Sequence, residues 1–174
     1  MKKILSAVFV LMIFTGMAFA EKITIDVCSV SPEGMGGKIG RVKAEDSDKG
    51  LVLKVDVKGI PEGEHGFHVH EHASGEPALD GEGKMTAALA AGGHYDPDNT
   101  GKHLGPYGQG HKGDLPFLTA DKNGNIKETV TAPRMTVKDL KGRSLMIHAG
   151  GDNYSDEPAV LGGGGARIAV GLIK

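Results

Sequence analysis

Apolar and polar residues alternate one by one in several short segments of this 174-residue chain, and glycine-rich turns separate the segments. Leu51, Leu53, Val55 and Val57 show this alternation most clearly. A period of two places successive side chains on opposite faces of a β-strand, so that one face of each segment points into a core. Glycine occupies 28 positions, more than twice its usual share of about 7%. The pattern predicts an all-β fold of antiparallel strands, arranged as a sandwich or barrel.

We expect eight strands, at residues 23–28, 38–44, 51–58, 65–70, 115–120, 126–132, 143–149 and 166–173. Turn sequences rich in glycine, asparagine and aspartate separate several of them, and these residues favour the backbone angles of tight turns. After the first twenty residues, no segment has the helical period over the length of a core helix. No internal repeat is present.

The first twenty residues have the composition of a secretory signal peptide. Two lysines precede an apolar run at 4–19, and small residues before and at Ala20 suit a signal peptidase. The run is shorter than the roughly 20 apolar residues that span a bilayer, which argues against the alternative of a membrane anchor. We expect an exported protein with a signal peptide at 1–20 that is cleaved after Ala20. A single domain at 21–174 would remain, without stable membrane association after processing.

The charge balance excludes one class of partner. The chain has 20 basic and 22 acidic residues, and two of the basic ones lie in the predicted signal peptide, so the mature chain has a formal charge of 18 − 22 = −4. It has no basic stripe and no aromatic stacking platform, so we expect no binding to nucleic acid.

Cys28 is the only cysteine, so the chain cannot form an internal disulfide, although small exported proteins often use them. Strand parity places Cys28 on the face opposite Ile25 and Val27. This predicts either an outward thiol that could pair between chains or a small residue partly covered by a neighbour.

Two segments without strand pattern, at 71–114 and 150–165, are longer than the 12–15 residues that usually limit such loops in a compact domain. Loops of this length are functional or disordered. All eight histidines of the chain lie between positions 65 and 148, in these loops or at predicted strand ends. The composition therefore favours a functional role for both loops.

The histidine spacing indicates metal binding. His68 and His70 are two residues apart in an extended segment, so both imidazoles project from one face and can bind one metal ion. His148 follows an apolar run at the end of another predicted strand. The first long loop supplies three imidazoles and one carboxylate, a set that matches a closed tetrahedral zinc site: His94, His103, His111 and Asp114. An imidazole-rich site without thiolate suits copper(II) or zinc, and a redox role would select copper.

Each of these residues taken alone also has an ordinary explanation, as a solvated loop histidine, a structural pair or a turn residue. Their concentration in one part of the chain favours the metal site. For His72 we expect no metal role, since no partner is implied. For His65 we expect a structural hydrogen bond that fixes a loop.

Four sequence runs resemble the exported bacterial branch of the copper,zinc superoxide dismutases. They are 65–71 (HGFHVHE), 91–97 (AGGHYDP), 110–116 (GHKGDLP) and 147–153 (IHAGGDN), followed by a glycine-rich segment through Arg167. The resemblance covers nearly the whole chain after residue 20. It implies an eight-stranded antiparallel Greek-key β-barrel with two long functional loops, located in the bacterial periplasm.

The resemblance also implies one copper ion and one zinc ion per subunit. The copper ligands would be His68, His70, His94 and His148. The zinc ligands would be His94, His103, His111 and Asp114. His94 would therefore be shared, and would join the two metals through its two ring nitrogens.

The implied function is dismutation of the superoxide anion to dioxygen and hydrogen peroxide, by alternate reduction and oxidation of the copper. Arg167 would attract the anion and His94 would supply a proton, while Asp152 would hold one histidine of each metal set. Lys84 and Lys102 either add to the local field or are ordinary solvated lysines. The alternative function is a non-catalytic copper or zinc binding or delivery protein on the same scaffold. A homodimer and a monomer are both compatible with the sequence.

The chain departs from the family at the usual intramolecular disulfide, whose two positions are Gly75 and Val170 here. Removing a native disulfide typically costs about 2–5 kcal/mol. We therefore expect the zinc set or local packing to hold this loop, and zinc removal to loosen this protein more than its disulfide-bearing relatives.

Overall fold

The computed structural model describes residues 21–174, so the signal peptide predicted at 1–20 lies outside the described residues. The described chain forms eleven β-strands: β1 (Lys22–Ser31), β2 (Gly34–Ser47), β3 (Gly50–Lys58), β4 (Gly63–His65), β5 (Phe67–His70), β6 (Ala78–Leu79), β7 (Met85–Thr86), β8 (Leu118–Ala120), β9 (Asn125–Ala132), β10 (Arg143–His148) and β11 (Arg167–Ile173). Three short 3₁₀ helices lie at Leu89–Ala91, Val137–Leu140 and Val160–Gly163. None of the helices in residues 21–174 has the length and apolar character needed to cross a bilayer.

Seven strands form one curled antiparallel sheet in the order β5-β10-β11-β1-β2-β3-β9. The chain crosses from β3, near one edge, to β4 and β5, where β4 pairs with β8 and β5 pairs with β10. β6 and β7 form a separate small hairpin within the first long loop. With β4 and β5 counted as one interrupted strand and the β6–β7 hairpin set aside, the protein is an eight-stranded Greek-key β-barrel, as predicted.

All eight predicted strands are present, with two corrections. The strand predicted at 65–70 is interrupted at Gly66, because its N–H donates to the carbonyl of Gly150 (2.8 Å) and its carbonyl accepts from the N–H of His148 (2.9 Å). The strand predicted at 115–120 is regular only over Leu118–Ala120. β6 and β7 were not predicted, since two residues are too few to show a period.

The core lies between the inward faces of the barrel strands. In β3, Leu51, Leu53, Val55 and Val57 are buried, and the residues between them are partly or fully exposed. The alternation predicted from sequence is therefore confirmed. Each such side chain contributes about 1.5–3 kcal/mol of stabilisation by leaving water. The resulting rigid barrel fixes the ends of β5, β10 and β11, where the predicted site residues begin.

The two positions that lack the family's cysteines are neighbours in space. A Cβ built on Gly75 would lie 3.1 Å from Cγ1 of Val170 and 2.4 Å from Sδ of Met35. The thioether of Met35 therefore packs into the space beside Gly75. Cys28 is a free, partly buried cysteine, and it is the register partner of Val170 on the neighbouring strand.

Candidate metal centre

β5 lies at the edge of the large sheet, and the first long loop covers its free side. The N–H of Tyr95 donates to the carbonyl of Val69 (2.8 Å), and the N–H of Val69 donates to the carbonyl of Gly113 (2.8 Å). These bonds fix the residues that precede Tyr95 and follow Gly113. As a result His94 pairs with His70, and Asp114 pairs with His68, in isolated bridges along the strand.

The seven predicted metal ligands meet in one buried region and form two clusters that share His94. Each is at most 8% exposed. Within each cluster, one donor atom of every residue lies within 4.8 Å of the others. The first cluster contains His68, His70, His94 and His148, and the second contains His94, His103, His111 and Asp114. The structure thus brings together all the ligands expected from the sequence.

Hydrogen bonds on the outer side of the first cluster fix which ring nitrogen faces inward. Nδ1 of His70 donates to the carbonyl of Gly92 (3.0 Å), and Nδ1 of His148 donates to the carbonyl of Gly165 (3.1 Å). A neutral imidazole has one donor nitrogen and one acceptor nitrogen. Their Nε2 atoms are therefore both acceptors, yet they lie 3.3 Å apart. Two facing lone pairs at this distance repel each other unless a cation binds them.

Other inward nitrogens in the region are also without partners. Nδ1 of His68 and Nε2 of His94 are buried and make no hydrogen bond. In the second cluster, Nδ1 of His103 and Nδ1 of His111 are likewise buried without a hydrogen bond, although the former lies 3.0 Å from Oδ2 of Asp114. Buried polar atoms are normally satisfied, so unpartnered ones need an explanation. A metal ion in each cluster satisfies all four.

Burial keeps the first cluster neutral in the metal-free protein. It lowers the pKa of His148 to about 3 and that of His94 to about 4, and in both cases the nearby His68 adds to the effect. Burial also lowers the pKa of His70 well below its usual value. Neutral imidazoles are the form that binds a metal ion, so these ligands do not have to lose protons near neutral pH.

The second cluster has a different electrostatic character. Burial alone would lower the pKa of His103, but the neighbouring carboxylates of Asp114 and Asp152 outweigh it and raise that pKa to about 9. Burial alone would raise the pKa of Asp114. The imidazoles around it, with the largest effect from His103, outweigh burial and hold that pKa far below its usual value. Three imidazoles and one carboxylate form a set of nitrogen and oxygen donors, which suits a zinc ion.

Asp152 connects the two clusters. Its Oδ2 accepts from Nε2 of His68 (2.7 Å) and its Oδ1 accepts from Nε2 of His103 (2.7 Å). It is buried, and these hydrogen bonds keep its pKa well below the usual range despite burial. Oδ1 also accepts the backbone N–H of Tyr154 (2.8 Å). The predicted link between one histidine of each set is therefore present.

Arg167 begins β11, opposite His148 in the register between β10 and β11. Its Nη1 donates to the carbonyl of Ala88 (2.6 Å) and its Nη2 to the carbonyl of Gly92 (2.7 Å). The side chain is partly buried, and burial lowers its pKa from the usual value of 12.5. The guanidinium is thus held beside the first cluster by neutral acceptors, which leave its positive charge available to an anion.

The remaining predicted residues have simpler surroundings. His65 is buried, and its nitrogens lie 2.7 Å from the carbonyl of His148 and 2.8 Å from that of Pro61, which confirms a structural role that fixes a loop. His72, Lys84 and Lys102 are exposed.

Sequence reasoning missed two residues that shape the site. Gly92 supplies a carbonyl to both His70 and Arg167. Tyr154 stacks on Phe117, accepts its N–H at Oη (3.1 Å), and packs against Gly105. A backbone carbonyl has no sequence signal, whereas an aromatic residue two positions after Asp152 could have suggested a packing role.

Comparison with known proteins gives a consistent result. The family described as "Copper/zinc superoxide dismutase (SODC)" matches residues 37–173. The chain is 50% identical over 171 residues to "Superoxide dismutase [Cu-Zn]" of Brucella abortus, which covers 98% of this chain and 97% of that protein. It is 47% identical over 176 residues to the protein of the same name in Escherichia coli K12, with both chains covered completely.

Solved structures agree with these relatives. The copper/zinc superoxide dismutase from Brucella abortus superposes with a TM-score of 0.86 at 50% identity, covering 88% of this chain and 100% of that one. The solution structure of the monomeric copper, zinc superoxide dismutase from Salmonella enterica superposes with a TM-score of 0.79 at 48% identity, with the same coverage.

Proposed function

Since this chain belongs to the copper/zinc superoxide dismutase family and dismutates superoxide to dioxygen and hydrogen peroxide, we propose the residues that carry this reaction. Copper and zinc are its cofactors. Nothing in the comparisons supports the alternative of a non-catalytic copper or zinc binding protein.

The proposed copper ligands are His68, His70, His94 and His148. One observation carries this assignment: the Nε2 atoms of His70 and His148 lie 3.3 Å apart. Both are acceptors, because each ring already donates outward through its Nδ1. Nδ1 of His68 and Nε2 of His94 complete the set, since they are buried without partners. Copper, when bound, supplies the one-electron oxidation and reduction that converts two superoxide anions into one dioxygen and one peroxide.

The proposed zinc ligands are His94, His103, His111 and Asp114. His94 belongs to both sets because its Nδ1 faces Asp114 (3.0 Å) while its Nε2 faces the first cluster. We place at Nε2 of His94 the proton that is passed to the reduced substrate, and water supplies the second proton of hydrogen peroxide.

Arg167 is the proposed binding group for the superoxide anion. The mature chain has a net charge of −4, from 18 basic and 22 acidic residues after position 20, so attraction of an anion must come from charges close to the site. Arg167 meets this need because its position beside His70 is fixed by the carbonyls of Ala88 and Gly92. Asp152 orients His68 and His103 from outside both metal sets.

The test is superoxide removal by the mature protein after loading with copper and zinc. We expect His148→Ala to abolish copper-dependent activity and Arg167→Ala to lower it while both metals stay bound. His72→Ala is the matched control, because this histidine is exposed and outside both clusters. Full activity and full copper content in His148→Ala would refute the proposed copper set.

Export to the periplasm of a bacterium is part of the proposal. It is supported by the lysines and apolar run of residues 1–20 and by bacterial relatives that match along the whole chain. We propose cleavage after Ala20, a single mature domain at 21–174, and a monomer, as in the relative from Salmonella enterica. Mass spectrometry of the periplasmic protein tests the cleavage site, and light scattering after gel filtration tests the oligomeric state.

A further inference from the structure

Arg134 reaches from the β9–β10 connection to the first long loop. Its neighbour Met135 is 1% exposed and belongs to the hydrophobic core, so the backbone at this point is fixed by packing. The guanidinium extends from this anchor to the segment 103–111, which begins and ends with two of the proposed zinc ligands.

The guanidinium donates hydrogen bonds to four backbone carbonyls of this segment. Nε donates to Pro106 (3.2 Å), Nη1 to Gly110 (2.9 Å), and Nη2 to both Gly105 (3.2 Å) and His111. Gly105 and Pro106 lie on the outgoing limb of the turn, and the other two lie on the returning limb. One side chain therefore connects both limbs.

Other hydrogen bonds hold the two ends of this segment: the N–H of His103 donates to Oδ2 of Asp156 (2.9 Å) and the N–H of His111 donates to the carbonyl of Lys102 (2.8 Å). Between these ends, Leu104 is 42% exposed and Tyr107 is 70% exposed, so the two large apolar side chains of the turn add little burial. The turn is also tightly closed, since a Cβ on Gly110 would lie 2.3 Å from the carbonyl oxygen of Lys102. A planar fork with five N–H donors matches such a group of carbonyls, whereas a lysine offers a single point charge.

The segment positions all three zinc ligands that are not shared with the copper set. His103 and His111 lie at its two ends, and the N–H groups of Leu104 and Gly105 donate to Oδ2 of Asp114 (3.3 and 3.2 Å). The carbonyl of Gly105, on the next peptide, is one of the acceptors of Arg134. On both sides of the turn, the carbonyls that accept from the guanidinium thus lie within one peptide group of a residue that binds or orients a zinc ligand.

We propose that Arg134 is a positioning residue for zinc: its guanidinium holds the segment 103–111 in the conformation that directs His103, His111 and Asp114 at one ion. This inference rests on the proposed zinc set. It concerns the affinity and geometry of that site. The guanidinium of Arg134 bonds to backbone carbonyls and to no side chain of a metal ligand.

The experiment compares Arg134→Gln and Arg134→Lys with Arg41→Gln, which removes the same charge from an exposed position on β2. Zinc affinity is measured on the mature protein by competition with a chelator. We expect the dissociation constant for zinc to rise about 10- to 100-fold in Arg134→Gln, the usual range for loss of a group that orients a ligand. The dissociation constant of Arg134→Lys should lie between those of the native protein and Arg134→Gln. That of Arg41→Gln should equal the native value.

Two further measurements separate positioning from a general loss of stability. Cobalt(II) bound in place of zinc should give an altered visible spectrum in Arg134→Gln, because the spectrum reports coordination geometry. The rise in melting temperature on adding zinc should also shrink, whereas a purely structural role would lower the metal-free and zinc-bound melting temperatures equally. An unchanged zinc affinity and cobalt spectrum in Arg134→Gln would overturn the inference.

His111→Ala distinguishes failure of this inference from failure of the zinc assignment. Loss of zinc binding in His111→Ala with native binding in Arg134→Gln would leave the zinc set intact and remove the role of Arg134. Native zinc binding in His111→Ala would overturn the zinc set itself, and the inference with it.

Discussion

Arg167 and His70 donate hydrogen bonds to the same carbonyl oxygen, that of Gly92. One peptide group therefore fixes both the proposed anion-binding side chain and a proposed copper ligand. Gly92 has a φ of 79°, and a Cβ there would lie 2.4 Å from Oε2 of Glu71. Glycine is needed at this position both for its backbone conformation and for space.

Gly92→Ala should weaken copper binding and superoxide turnover together, since displacement of this carbonyl releases both partners. We expect copper affinity to fall about 10- to 100-fold. Gly83→Ala is the matched control, because Gly83 has a similar φ of 77° with nothing within 4 Å of its Cβ position. It carries the same backbone strain of about 1–2 kcal/mol without touching the site. Competitive copper titration and activity assays measure the difference, and equal behaviour of the two variants would contradict the prediction.

Asp152→Ala should weaken both metals at once. An alanine has no side-chain oxygen, so the substitution removes the acceptors of both His68 and His103. We expect losses of about 10- to 100-fold in affinity for copper and for zinc. Asp121→Ala provides the control, as this carboxylate only closes an exposed turn. A variant that loses affinity for one metal alone would show that the link between the clusters is not functional.

The metal-free protein should lose stability as the pH falls from 6.5 to 4. Burial, aided by His68, lowers the pKa of His148 to about 3 and of His94 to about 4 in the folded state, against about 6.5 in the unfolded chain. Over this interval the unfolded chain binds more protons, so the free energy of unfolding decreases with decreasing pH. Each histidine contributes at most about 1.4 kcal/mol per pH unit.

His103 does not add to this change in the free energy of unfolding between pH 6.5 and 4. Its two carboxylate partners outweigh burial and raise its pKa to about 9, so it is protonated in both states below pH 6.5. Its contribution is lost instead as the pH rises from 6.5 to 9. Urea titrations of the chelated protein measure both effects. His148→Asn should flatten the acid slope and His72→Asn should not, while a constant free energy of unfolding between pH 6.5 and 4 would contradict the assignment.

A disulfide between positions 75 and 170 should stabilise the metal-free protein and reduce its dependence on zinc. The Cβ position of Gly75 is 3.1 Å from Cγ1 of Val170, but the thioether of Met35 packs against the same position. We therefore combine Gly75→Cys and Val170→Cys with Met35→Ala. Cys28→Ala is also included, because Cys28 pairs with Val170 in the strand register and could form the wrong bond.

We expect the oxidised variant to be about 2–4 kcal/mol more stable than its reduced form, measured by denaturant unfolding without metals. Zinc removal should then lower its melting temperature less than it lowers that of the native chain. The same variant with Gly75→Ser in place of Gly75→Cys is the control. Equal unfolding midpoints for the oxidised and reduced forms would show that the geometry does not allow the bond.

The barrel strands could be predicted because their alternation is a direct consequence of one buried face. β3 follows this rule residue by residue. The break at Gly66 could not be predicted, since it depends on backbone hydrogen bonds to residues 148 and 150, which are distant in sequence. β6 and β7 escaped prediction because two-residue strands have no measurable period.

The candidate site also has residues that could be predicted from the sequence and residues that could not. His68 and His70 follow from strand parity, and the remaining ligands follow from residue type and from resemblance to a family. The parts that hold them are backbone carbonyls, such as those of Gly92 and Gly165, and every residue type has such a group. Arg134 gave no signal either, because its partners are four carbonyls and not a carboxylate of complementary charge.

The two clusters differ in how far apart their members lie along the polypeptide. His94 and Asp114 are 20 positions apart, whereas His70 and His148 are 78 positions apart and meet only when β10 pairs with β5. Closing a short segment costs less chain entropy and takes less time than closing a long one. During folding, the four zinc ligands can therefore come together within a single loop before the C-terminal strands pair. The copper ligands can come together only once β10 has paired with β5.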